Sequence, residues 1–172
     1  MTRLAGEVAF GCHISEDRQH AAVVAAGRDT VTGKILVDLA PFYGHPRDVV
    51  ARVAHLVAVH DPAGVAVNPK SQSATLLKPL GEAGVLVTEL SVEDVVVAHA
   101  EFLDLIEATG LVHLDQPPLT AAVRAAQQRP LAGAQAWDPK VDTDQSPLLA
   151  ATWAAWRFRR WEELASPGAY AF

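Results

Sequence analysis

Cysteine, methionine and aromatic side chains are scarce in this 172-residue chain, with one Cys, one Met and 6% aromatics. A lone thiol, Cys12, forms no intrachain disulfide, and its apolar neighbours make it a small core hydrophobe. No apolar run approaches the ~18 residues that cross a bilayer. Nothing resembling a signal peptide precedes Glu7, so the expected setting is cytoplasmic, without a membrane. Gly33-Lys34 lacks the upstream glycine of a phosphate-binding loop and is followed by Ile35, which excludes a P-loop ATPase site. The seven histidines form no paired helical metal motif, since His55 and His60 stand five apart rather than four.

What is present suits a folded protein. Half of the residues are hydrophobic and 20% charged. The length fits one domain, residues 1–172, burying roughly two thirds of its unfolded surface. The formal charge of −6 is uneven: residues 1–86 hold 8 basic and 8 acidic residues, and residues 87–172 hold 6 and 12. A free-standing binder that holds nucleic acid by charge alone is normally basic. The balance here argues against that role. It leaves room for acids that bind metal, or for a domain that borrows affinity from a larger assembly.

Glu7 to Arg18 reads as an apolar strand running into a polar turn, with Val8, Phe10 and Cys12 alternating with Ala9, Gly11 and His13. His20 to Ala26 makes the second arm of a hairpin, and Ile35 to Leu39 a third strand, with Pro41 to Pro46 as a loop. Asp48 to His60 has helical spacing and stops at Asp61-Pro62. Gly64 to Val67 is a short strand ending at Asn68-Pro69-Lys70, after which Ser71 or Ser73 caps a helix to about Leu80. Val85 to Leu90 is another strand, and Ser91 with Asp94 opens a helix through Ala108. Leu111 to Leu114 is a short edge strand, Pro117-Pro118 opens a helix to about Gln128, and Ala134 to Trp137 is a last strand. Ser146-Pro147, a cap followed by proline at the first helical position, starts a helix to about Leu164, and residues 166–172 form a loose tail. A meander of three antiparallel strands followed by βαβ units predicts an α/β mixed sheet with helices on both faces.

Three polar groups fall where strands end or a helix begins: His13, Asn68 and Asp144. Asp142 stands beside the last, and Asp17 and Glu16 lie in the first turn. Oxygen and imidazole ligands gathered at ~2.0–2.2 Å hold a divalent ion that activates water and stabilises a phosphoryl transition state. Each residue also has a plain structural use. His13 is a polar strand end, Asn68-Pro69 a turn initiator and Asp144 a helix-capping acid. Lys70 is a phosphate-facing cation by location. Arg157 and Arg160 interleave with Trp156, Phe158 and Trp161, which suits a DNA-phosphate contact, a docking surface or a solvated helix end.

The strand-turn GCHISEDR, the later VAVNPKSQSA and the final WDPKVDTDQSPLLAATWAAW together resemble the C-terminal nuclease domain of tailed-phage terminase large subunits, of the RNase H-like superfamily. The resemblance spans about residues 6–161. Its most specific parts are Trp137-Asp138, Asp144 to Leu148, and Gly11 to Arg18. It implies an RNase H-like fold and two divalent metals, Mg²⁺ or Mn²⁺, held by acids at two strand ends and before the last helix, where they cut concatemeric DNA during packaging. The implied partners are double-stranded DNA, the terminase ATPase domain and the portal assembly, in the host cytoplasm. Carried over by position, the third acid is Asp144, while His13 and Asn68 stand where the family has aspartates. That exchange removes two negative charges from the metal shell, although a histidine and an amide still suit one softer ion such as Mn²⁺ or Zn²⁺. Asp17, Asp142 and Asp138 are the acids available to compensate.

Two functions follow from the resemblance: a metal-dependent DNA endonuclease with Asp144, His13 and Asn68 as catalytic ligands, impaired by the two exchanges, or a degenerate module of the same fold that positions DNA or docks the packaging motor. A Holliday-junction resolvase is the weaker third, because Ser146-Pro147 after Asp144 favours the terminase branch. The start of the chain just before its first strand suggests a piece of a longer protein.

Overall fold

A computed structural model of the chain describes residues 3–166. Strands β1 (Leu4–Ile14), β2 (Ala21–Asp29) and β3 (Ile35–Gly44) form an antiparallel meander. Helix α1 (Val49–His60) crosses to β4 (Gly64–Val67), which pairs parallel with β1. After a 3-10 turn and α2 (Leu77–Glu82), β5 (Val87–Glu89) pairs parallel with β4. Helix α3 (Val92–Glu107) leads to β6 (Leu111–His113), parallel to β3 at the opposite edge. The sheet order is β5-β4-β1-β2-β3-β6, so β1 and β2 are central. Helix α4 (Pro117–Ala125), a separate hairpin of β7 (Gln128–Leu131) and β8 (Ala134–Trp137), and the long α5 (Ser146–Ala165) complete the described chain. No described helix is long and apolar enough to cross a membrane.

The period-2 alternation in β1 sorts its side chains onto two cores. Phe10, Cys12 and Ile14 face Val49, Val53 and Leu56 of α1, while Ala9 belongs to the face covered by α3, α4 and α5. Helices thus cover both faces, as the pattern predicts. Burial pushes the Cys12 thiol up to about 12, so it packs as an apolar side chain.

On the α5 face the strand is nearly bare. A Cβ on Gly11 would stand 2.1 Å from the Ala150 carbonyl oxygen and 2.6 Å from the Ala154 nitrogen. Gly11 and the alanine-rich face of α5 therefore let helix backbone lie directly on strand backbone. This close approach brings Trp153 over the next residue on the same face, His13.

Several expectations need correction. The segment before Pro130 is not helical to Gln128; α4 stops at Ala125 and β7 follows. Ala132 and Gly133, both with positive φ, make the tight turn that pairs β7 with β8, outside the main sheet. β3 runs through Pro41 to Gly44, because a bulge opposite Val23–Ala25 accommodates a residue that cannot donate. Ser71 caps a 3-10 turn before the short α2 rather than one helix. Ser146 is the first residue of α5, not its cap, and Pro147 takes the second position. The capping box of Ser91 and Asp94 forms as expected. Beyond Ser166, the tail expected to be loose lies outside the described residues.

Candidate functional site

Parallel pairing of Cys12 with Val67 sets the ends of β1 and β4 side by side, which delivers His13 and Asn68 to the wall of one cleft of about 600 Å³. Its other side is built from the β7–β8 hairpin and the turn after it: Arg129, Trp137, Asp138 and Lys140. The hairpin is fixed to α5 by the Trp137 indole, which donates to Thr152 Oγ1 at 3.0 Å, and His99 packs edge-on against the same indole at 4.5 Å. On the β4 side, Ser73 Oγ accepts from the Ile14 amide at 2.9 Å, which pins the loop after Asn68 to the end of β1.

His13 is 2% exposed and forms the cleft floor. The Trp153 indole donates to its Nδ1 at 3.4 Å. Burial pulls its pKa down to about 4, against the smaller upward pull of the Asp144 charge. The imidazole is therefore neutral near pH 7, and with Nδ1 accepting, its proton resides on Nε2. Asn68 Oδ1 accepts from the Lys70 amide at 3.0 Å, closing an Asx turn, and the Ser71 hydroxyl donates to the Asn68 carbonyl.

Asp144 lies in an adjoining hollow with Ser15, Glu16, Asp17, His20 and Asp142. Glu16 and Lys140 border both spaces. The Asp144 carboxylate accepts from the Ser146 amide at 2.9 Å, from the Ser146 hydroxyl at 3.0 Å and from the Tyr43 hydroxyl at 2.8 Å. It thus caps α5 from two residues upstream and ties that end to β3. Burial, then the Asp144 bond, holds the Tyr43 phenol above its ordinary range, and the ring stacks on His20 at 5.7 Å. Asp17 accepts from Ser15 Oγ and the Gln19 amide, which together keep its carboxyl low.

The arginines of α5 lie elsewhere. Arg157, roughly 16 Å along the helix from Ser146, donates to the Ala63 carbonyl at 2.6 Å and to Thr88 Oγ1, at the other end of β4 from Asn68. Arg160 pairs with Glu101 and Glu163 and lies over the Trp156 ring. Both guanidinium groups are occupied inside the fold, far from Lys70 in the cleft. Sequence reasoning passed over Arg129, Lys140 and Tyr43. Lys140 alone had a signal, since Asp138-Pro139-Lys140 repeats the pattern of Asn68-Pro69-Lys70.

The large terminase nuclease of thermophilic phage G20c superposes with a TM-score of 0.64 at 16% identity, covering 86% of this chain and 80% of that one. The fold is that of a phage large terminase nuclease. The HK97 bacteriophage large terminase gives 0.69 at 16% identity over 90% of this chain, which spans 40% of that longer protein. The Thermus phage P74-26 large terminase nuclease domain gives 0.58 at 15% identity, covering 86% of this chain and 77% of that one. The G20c nuclease has also been solved with bound magnesium and with bound cobalt. No protein-family model and no curated protein matches the chain.

Within this terminase-nuclease fold, the donors present fit a pair of divalent ions poorly. His13 offers a neutral imidazole and Asn68 a carboxamide, and the Asp144 carboxylate accepts three hydrogen bonds, from Tyr43 and Ser146. Among the described residues no group of three or more His, Cys, Asp or Glu is arranged to hold a metal ion. Two cations in close proximity need carboxylates to neutralise and bridge them.

Proposed function

We propose that this chain is a degenerate terminase-nuclease module that holds double-stranded DNA at the His13–Asn68 cleft without hydrolysing it, beside the ATPase motor and portal assembly of a packaging machine in the host cytoplasm. One observation carries the reading: the side chains at all three ligand positions are already engaged by the protein itself. His13 takes the Trp153 indole, Asn68 closes its own turn, and Asp144 caps α5 and holds Tyr43. A neutral imidazole and a carboxamide in place of two carboxylates remove two negative charges that would draw in paired Mg²⁺ ions.

A second reading, a metal-dependent endonuclease impaired by the same exchanges, is favoured by the magnesium and cobalt bound to the similar G20c nuclease. In that reading Asp144, with Asp17 or Asp142, carries the metal. Plasmid nicking separates the two. With Mg²⁺ or Mn²⁺ the native chain is expected to leave supercoiled plasmid intact, while His13→Asp/Asn68→Asp gains nicking. Cutting by the native chain, lost in Asp144→Asn, would establish the endonuclease instead. Asn is the informative replacement, because its side-chain oxygen still accepts from Ser146 and keeps α5 capped.

A further inference from the structure

Two turns of matching sequence face the same cleft. Asn68-Pro69-Lys70 follows β4, and Asp138-Pro139-Lys140 follows β8. In each, the first side chain accepts from the lysine amide, at 3.0 Å for Asn68 and 2.9 Å for Asp138. Proline at the middle position fixes φ, so both turns are stiff before any ligand arrives. Arg129, on the hairpin strand β7, adds a third cation to the lining. Among the described residues, the side chains of Lys70, Lys140 and Arg129 enter no ion pair and no hydrogen bond, whereas Arg3, Arg28 and Arg160 all do. In a chain of net charge −6, three uncommitted cations around one cleft are a local reversal of sign. Against them the lining sets two carboxylates, Glu16 and Asp138, and the His13 imidazole brings no charge.

From this we infer a metal-independent phosphodiester clamp: Lys70 on one wall, with Arg129 and Lys140 on the other, grips DNA backbone phosphates directly. The inference rests on the reading of a DNA-holding module and adds how the phosphate is held. A nuclease site rich in acids repels the DNA backbone until cations neutralise it. Exchanging two acids for His13 and Asn68 removes that repulsion, and the flanking cations then suffice. The acids gathered in the adjoining hollow, Asp17, Asp142 and Asp144, disfavour phosphate there and set the side on which the backbone passes.

The test is binding of a short fluorescent duplex in EDTA, followed by anisotropy across a salt series. Three phosphate contacts are expected to give a slope of log K against log salt of about −2.7. Lys70→Ala, Arg129→Ala and Lys140→Ala are each expected to flatten it by about one unit. Lys34→Ala, at the far end of the sheet, is expected to leave it unchanged. Binding that requires Mg²⁺ or Mn²⁺, or a slope indifferent to all three variants, overturns the clamp and leaves the non-cleaving reading to the plasmid assay. Failure to bind under either condition overturns the clamp and the DNA-holding role together.

Discussion

Gly11→Ala is expected to destabilise the fold by about 3 kcal/mol or more, the upper part of the range for forcing atoms into a packed core. The added methyl meets α5 backbone at Ala150 and Ala154 rather than the end of a flexible side chain. Relief therefore requires the whole helix to lift from β1. For a domain of this size the loss corresponds to a fall of roughly 6–12 °C in Tm. Gly81→Ala makes the contrast, since nothing lies within 4 Å of its Cβ position and it sits in α2. That change is expected to be neutral or stabilising by up to about 1 kcal/mol. Thermal unfolding of both variants decides the matter: equal Tm values would show that α5 does not rest on bare strand. Since Trp153 rides on the same helix, Gly11→Ala is also expected to loosen its bond to His13.

A second large effect concerns pH. Buried His13 has its pKa lowered to about 4 from an ordinary 6.5. Because the folded state resists the proton that the unfolded chain accepts, stability is full above about pH 7. It falls as the pH drops from 6.5 towards 4. A shift of this size corresponds to about 3 kcal/mol by the lower end of that window. His13→Gln is expected to remove that part of the slope whatever it does to stability at pH 7. His99, also lowered by burial, acts in the same direction and remains in both proteins, so the difference between them isolates His13. Urea titrations at several pH values measure it. Identical slopes for the native chain and His13→Gln would mean that the imidazole is hydrated.

The elements that position the cleft were legible because their signals are local. Alternation in β1 separates Phe10 and Cys12 from Ala9, and the Ser91–Asp94 box marks the start of α3. Strand β7 was hidden: Gln-Arg-Pro-Leu carries no alternation, and it exists only because β8 folds back on it. Arg129 was lost with it. The chemical state of the cleft was less legible still. The neutrality of His13 comes from burial under elements distant in sequence, Trp153 of α5 among them, and one of the bonds to Asp144 comes from Tyr43, 101 residues away. The net acidity of the chain also hides a cleft lined by three basic side chains against two acidic ones.

Whether the site holds a metal is read from crystals soaked in Mn²⁺ and measured at its absorption edge. No anomalous peak is expected among His13, Asn68 and Asp144, with the Trp153, Lys70 and Tyr43 hydrogen bonds to them intact. A manganese ion bound by the His13 imidazole and the Asp144 carboxylate would contradict that expectation and return the chain to the metal-dependent nucleases.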